Sequence, residues 1–345
     1  MSNSCDHFIF VFHAIIDWFN QHKRDLPWRN LDDPYLVWIS EIMLQQTQVD
    51  VVLPYFLNWK DKFPNLKSLA EASIEDVIQA FAGLGYYSRA KNISKAAKLC
   101  FEKYNGQMPN SLKELLSLPG VGKYTAGAIL SFAYKEKGVA VDGNVLRVMS
   151  RILGSKEPID QLKTKDFIEK FLEDNTPKEK FPIFMEGMIE LGALVCKKKA
   201  DCMNCPLRSG CAAYKNQEVG LIPIKAKQAK TIELKIDVFI YQKDRTFFIE
   251  KKKEGEWNAG LYEFPQEQKS LNLESSEPIF LKPFHSFITH HKLLIMPRLI
   301  KVNQLQLDKD ENWVTLNEIK KLPLSSAHKK IVSKLLQMES QGLIY

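Results

Sequence analysis

The stretch "SLPGVGKYTAGAIL", residues 117–130, sets a Pro-Gly turn and a second glycine directly before a run with helical spacing. A glycine-rich turn feeding a helix aims several backbone N–H groups outward, and the positive end of the helix dipole adds to their pull on an anion. Gly120 and Gly122 would let a backbone approach closely, which suits a phosphate. Such a contact carries no base specificity. Alone, the pattern fits an ordinary tight turn between two helices equally well, so its neighbours decide.

Downstream stands "AVDGNVLRV", residues 140–148, in which Asp142 can cap the following helix and be held ionised by its dipole. Upstream is Glu41, whose helical neighbours at minus four, minus three and plus three are Val37, Trp38 and Leu44. A carboxyl group on an apolar helix face loses hydration, which predicts a raised pKa and a protonated side chain near neutrality. One carboxylic acid and one carboxylate suit cleavage of a glycosidic bond: the first protonates the leaving group and the second stabilises the oxocarbenium-like sugar. These residues leave it open whether Asp142 is merely a cap and whether Glu41 is paired with an arginine.

The 345 residues, 45% hydrophobic and 26% charged, are enough for two buried cores, and two domains are expected. Lys and Arg number 48 against 41 Asp and Glu, a formal +7 that favours a polyanionic partner without demanding one. The apolar "FIFVFHAII", residues 8–16, follows Asp6, precedes Asp17 and has no basic lead, so it reads as the buried face of a first helix rather than a signal peptide or membrane span.

From residue 4 to about 195 the pattern predicts successive amphipathic helices. Asp33-Pro34 opens one that can run through "YLVWISEIMLQQT", and another starts after "GLGYYS" at 83–88. Beyond Cys211, "LIPIKAKQAK" at 221–230 reads as a basic linker, and "IELKIDVFIY" and "TFFIEKKK" alternate as strands of a half-buried sheet do. The expected division is a helical region over 1–220, a linker over 221–231 and a smaller α+β domain over 232–345.

Four of six cysteines, Cys196, Cys202, Cys205 and Cys211, form the pattern Cx5CxxCx5C. Thiolates this close repel one another and oxidise unless something binds them, so a structural metal site is expected, with zinc and a [4Fe-4S] cluster both acceptable. Lys197, Lys198, Lys199 and Arg208 on the loop can face a phosphate backbone or solvent. Cys5 and Cys100 read as plain thiols.

Taken together, "WISEIMLQQTQ", "GLGYYSRAKN", "LPGVGKYTAGA", "VDGNVLRV" and the four-cysteine loop resemble, in order and spacing, the helix-hairpin-helix DNA glycosylases with an iron-sulfur cluster. "GLYEFP" and "ITHHKL" narrow the resemblance to the adenine-specific members, and it covers nearly the whole chain. It implies an all-α helix-hairpin-helix glycosylase region with a [4Fe-4S] loop, followed by a smaller α+β Nudix-like domain. The implied activity is removal of adenine mispaired with 8-oxoguanine or guanine in double-stranded DNA, by a cytoplasmic monomer.

The resemblance also assigns roles. Glu41 looks like the acid that protonates adenine N7, and Asp142 matches the residue that stabilises the cation or briefly bonds to it. Tyr124 and Asn144 match residues that orient these carboxyl groups, while Arg24, Trp28, Arg29, Leu44 and Glu186 fall where the family lines its adenine pocket. Gln46 and Tyr86 match wedges beside 8-oxoguanine, in keeping with the need to extrude a base before its bond is reached. Gly120, Gly122 and Lys123 fall on the phosphate-binding turn, and Thr289 and His290 fit a pair that probes the damaged base.

In the related endonuclease III group a catalytic lysine takes the place of Tyr124 and forms a Schiff base with the sugar. Lys123 is one residue early, and a helical step of about 100° would turn it out of the pocket. A monofunctional glycosylase using water is therefore expected. The acidic Nudix signature is absent between Phe264 and Phe284, so the second domain is read as a recognition module without chemistry of its own. Two departures from the family stand out: the first cysteine gap is five residues where six is usual, and Gln266 to Pro283 is short for a Nudix-like helix.

Overall fold

The caps written in the sequence set where the helices begin. Asp33 accepts from the N–H groups of Tyr35 (2.9 Å) and Leu36 (3.4 Å) and opens α2 with Pro34 in its first turn. In the computed structural model, which describes residues 2–29, 31–226, 231–267, 277–288, 291–302 and 312–344, the helical region runs α1 (Ser2–His22), α2 (Pro34–Leu44), α3 (Val49–Lys62), α4 (Leu66–Glu71), α5 (Ile74–Ala80), α6 (Ser88–Lys103), α7 (Leu112–Leu116) and α8 (Lys123–Ala128). It continues through a π-helical turn (Ile129–Ala133), α9 (Gly143–Leu153), α10 (Leu162–Asn175), α11 (Phe181–Leu194) and α12 (Ala212–Lys215). The second helix stops short of Thr47, because Gln45 turns to ψ 111° and Gln46 adopts a left-handed φ of 58°.

Two compact units result: residues 1–72 with 92–228, and 73–91 with 229–345. In the first, the apolar stripe of α1 (Phe8, Val11, Phe12, Ile15, Phe19) packs into a core with Val145, Val148 and Met149 of α9 and Phe184, Met185 and Met188 of α11. A Cβ on Gly187 would meet Ile15 Cγ2 at 2.6 Å, so this glycine lets α1 and α11 close on one another. Residues 221–226, read as linker, are folded onto this unit: Ile222 is buried, its carbonyl accepts from Arg151 Nε (2.8 Å), and Ile159 N–H donates to the Ile224 carbonyl (3.0 Å). Residues 227–230 lie outside the described ones.

The second unit carries a mixed sheet. Its strands are β1 (Ile232–Lys243), β2 (Thr246–Phe248), β5 (Ile279–Phe280), β6 (Phe284–Ile288), β7 (His291–Lys301) and β8 (Trp313–Thr315), while β3 (Glu250–Lys251) and β4 (Tyr262–Glu263) form a separate pair. The order is β5-β7-β1-β2-β8, with β6 also on β7; β1 and β7 run parallel from Ile232↔His291 to Gln242↔Lys301. Along β7 alternate side chains are buried, as expected of a sheet with one covered face. The cover is α13 (Leu316–Ile319) and α14 (Ser326–Ser340), whose Ile319, Ile331, Val332 and Leu335 share a core with Val238, Ile240 and Leu299. Half of the Gln266–Pro283 segment, residues 268–276, lies outside the described residues. No helix among the described residues is long and apolar enough to cross a membrane.

Candidate active site

A cavity of about 850 Å³ opens in the first unit, and Glu41, Tyr124, Asp142 and Asn144 all line it. Glu41 sits on α2 between the fully buried Trp38 and the buried Met43 and is itself only 7% exposed. The α8 residue Tyr124 donates its hydroxyl to Glu41 Oε2 at 2.7 Å. Asp142 caps α9: its Oδ1 accepts from the N–H groups of Asn144 (2.9 Å) and Val145 (2.8 Å), and its Oδ2 accepts from Asn144 Nδ2 (2.7 Å). Behind it, Arg147 Nη2 donates to Asn144 Oδ1 (2.8 Å) and to the Gly192 carbonyl (2.8 Å), and its Nε donates to the Cys196 carbonyl (2.6 Å).

The two carboxyl groups differ in what surrounds them. Burial pushes Glu41 up to about 7; the nearby Asp142 and Glu186 charges act the same way, while the Tyr124 hydroxyl and Arg29 oppose. Burial also raises Asp142, against the pull of three N–H donors and Arg147, so the simple expectation of a dipole-held anion is modified by its desolvation. Among the described residues every hydrogen-bond partner of Asp142 is a donor, which suits it to be the anion of the pair. Among the described residues Glu41 accepts from Tyr124 alone, through Oε2. Tyr124 is raised well above its ordinary value by burial and by the two carboxylates, so it remains a hydroxyl donor.

Arg24, Trp28, Arg29, Leu44, Gln46 and Glu186 line the same cavity. On the turn, Gly120 has φ +79°, and a Cβ there would strike Asn92 Cβ at 2.7 Å, whereas Gly122, the cap of α8, has open space where a Cβ would stand. Lys123 does not line the cavity: it is exposed, with Nζ on Asp166 (3.1 Å) and Glu169 (3.4 Å) of α10. Its charge is thereby offset by two carboxylates, which departs from a lysine free to meet a phosphate. Tyr86 belongs to the second unit, half exposed at φ 50°. Thr289 and His290 lie outside the described residues.

Cys196, Cys202, Cys205 and Cys211 line one small second cavity together with Arg151. No three His, Cys, Asp or Glu side chains among the described residues are already drawn together as a closed metal site. Arg151, itself buried, donates to Cys196 Sγ (3.2 Å) and to the carbonyls of Lys197 (2.7 Å) and Lys198 (3.2 Å), placing a cation against the sulfurs. Burial raises Cys202 and Cys211 and pushes Cys205 up to about 12, with the neighbouring sulfurs adding to each shift. Four thiols around one void, beside a guanidinium, fit a thiolate-bound centre.

Residues 39–177 match the model of the HhH-GPD superfamily of base excision DNA repair proteins, and residues 238–334 match that of the NUDIX domain. An adenine DNA glycosylase of Buchnera aphidicola (subspecies Baizongia pistaciae) is 34% identical over 343 residues, covering 95% of this chain and 97% of that one. The chain belongs to the adenine DNA glycosylase family. The human adenine DNA glycosylase is 39% identical over 219 residues, 59% of this chain and 39% of its own. Among solved structures, a thermostable thymine-DNA glycosylase (TM-score 0.56) and a non-covalent endonuclease III–DNA complex (0.54) are each 27% identical and cover 62% of this chain. They cover 99% and 97% of their own chains respectively.

As a member of the adenine DNA glycosylase family, the chain is a base excision repair glycosylase. Its superfamily commonly carries an iron-sulfur cluster. Among the cavity residues that sequence did not assign to the site are Glu190 and Lys197. Glu190 is 1% exposed and bonded to Arg24 and Arg29; its four-residue spacing from Glu186 on α11 was the available signal. Lys197, noticed only for its charge, also lines the cavity.

Proposed function

We propose that this enzyme removes adenine lying opposite 8-oxoguanine or guanine in duplex DNA, with Glu41 as acid and Asp142 as the stabilising anion. The observation that carries the reading is the buried Glu41, held by Tyr124 in the same cavity as the donor-saturated Asp142. An adenine turned out of the helix into this cavity would take a proton from Glu41 at N7. The glycosidic electron pair would then leave with the base, and Asp142 would stabilise the cationic sugar until water adds. Arg24, Trp28, Arg29, Leu44 and Glu186 would enclose the base, and Gln46 and Tyr86 would fill the gap it leaves. The Nudix-like unit would read the opposite base. Cys196, Cys202, Cys205 and Cys211 would hold a [4Fe-4S] cluster, whose contribution when bound is to fix the loop that carries Lys197, Lys198 and Lys199.

A duplex with a single adenine opposite 8-oxoguanine tests this. Free adenine should appear, and the abasic strand should break only after alkali. No base release would sink the proposal, and changing the base opposite adenine ranks the preference. A visible-region absorption spectrum distinguishes the iron-sulfur centre from zinc.

One observation favours a bifunctional alternative: Lys197 lines the cavity. Tyr124 in the place of a nucleophilic lysine, and Lys123 paired outside, support the hydrolytic reading. Borohydride should trap no covalent protein–DNA adduct. An adduct that disappears in Lys197→Gln would transfer the lyase role to that residue.

A further inference from the structure

Glu190 lies on α11 one turn beyond Glu186, in the wall of the cavity. Its Oε1 accepts from the Arg24 backbone N–H and Arg24 Nε, both at 2.9 Å, and its Oε2 accepts from Arg24 Nη2 (2.9 Å) and Arg29 Nη2 (3.2 Å). Arg29 is held again by Glu186 Oε2 (3.0 Å), by the Arg24 carbonyl (2.6 Å) and by Phe19, whose ring centroid lies 5.1 Å from its guanidinium carbon. A forked guanidinium bound at two edges has lost its freedom to swing, and a lysine or an amide would not reproduce the geometry.

We propose that Glu190 is a positioning residue: it fixes Arg24 and Arg29 along one wall of the adenine cavity and offsets their charge beside Glu41. The inference rests on the glycosylase reading above. The groups that face Glu41 are Tyr124 from α8, Asp142 from the cap of α9, Glu186 from α11 and Arg29 from the segment before α2. Of the charged ones, Arg29 alone draws Glu41 towards ionisation. Asp50 on α3 acts on Arg24, and Lys23 and Lys135 act on Glu186. Without the Glu190 charge, Arg29 is less compensated and Glu41 ionises at lower pH.

Single-turnover adenine release against pH tests this in the full chain. Glu190→Gln should lower the rate by ~10–100-fold, as expected for a displaced wall of a reacting pocket. It should also move the alkaline limb of the profile down by about one pH unit. Glu190→Asp keeps the charge but shortens the reach, so its rate should fall while its limb stays in place. A Glu190→Gln enzyme with the wild-type rate, or one that is slow with an unmoved limb, overturns the proposal. If Glu190→Gln does not fold, Glu190→Asp decides, and a wild-type rate there overturns it. A wild-type chain that releases no adenine at any pH defeats the glycosylase reading instead, so the two failures remain distinct.

Discussion

In the mechanism proposed above, Glu41 sets the pH behaviour of the site: its protonated form would be the working acid, so adenine release should fall as pH rises through about 7. Glu41→Gln, which cannot give a proton, should lose ~10²–10⁴-fold in single-turnover rate. Tyr124→Phe removes a donor that favours the ionised form, so its alkaline limb should move to higher pH; an unmoved limb would mean that the hydroxyl does not tune the acid. The same raised pKa weighs on stability with a definite sign. The group stabilises the fold most below its unfolded value, and that contribution is lost as pH rises through about 7. The apolar face around Glu41 was legible from three neighbours. Its meeting with Tyr124 was implied only by the family resemblance and not by any local pattern, because 83 residues separate them and only tertiary packing closes that distance. Glu190 was missed because a glutamate on a helix is usually a solvated one, and nothing local announces two arginines arriving from residues 24 and 29.

At the level of elements, the crossing of α9 over α11 holds the anion in place. A Cβ on Gly192 would stand 2.6 Å from Asn144 Cβ and 3.1 Å from Asn144 Cα, so any side chain there must push the two helices apart. Gly192→Ala should cost about 1–3 kcal/mol in urea unfolding. It should also slow adenine release, because Asn144 is the side-chain donor to Asp142; an alanine variant with wild-type stability and rate would show that the crossing has slack. Helix starts were legible wherever Asp precedes the run, at Asp33 and Asp142, since the cap chemistry is local. The end of α2 was not, since the apolar pattern continues past Leu44 and the left-handed Gln46 is a conformation its sequence does not require.

Across the whole molecule, acid should act on the second unit through one residue. His328 is buried, its Nδ1 has no hydrogen-bond partner among the described residues, and burial lowers its pKa to about 3. Glu263 Oε1, which accepts from Asn258 Nδ2 (2.7 Å), stands 3.8 Å from it, but with its pKa lowered to about 3 the imidazole is neutral at ordinary pH, so the contact is not an ion pair. The unfolded chain takes up a proton near pH 6.5 that the folded one refuses, so stability is lost between about 6.5 and about 3. Urea midpoints measured across that range should flatten in His328→Leu, and an unchanged slope would point to other groups. Fold class was legible in the change from helical to alternating period after Cys211. The allegiance of 73–91 to the later unit was not, because it depends on partners such as Leu324, whose carbonyl accepts from the Tyr87 hydroxyl (3.1 Å). That allegiance matters during synthesis. When residue 228 leaves the ribosome the first unit has all of its chain, yet Ile78 and Tyr87 still wait for Gly260 and Leu324 to be made. The nascent protein therefore carries an unfinished excursion inside a completed body, and this stretch is where a holding chaperone or a protease would find it.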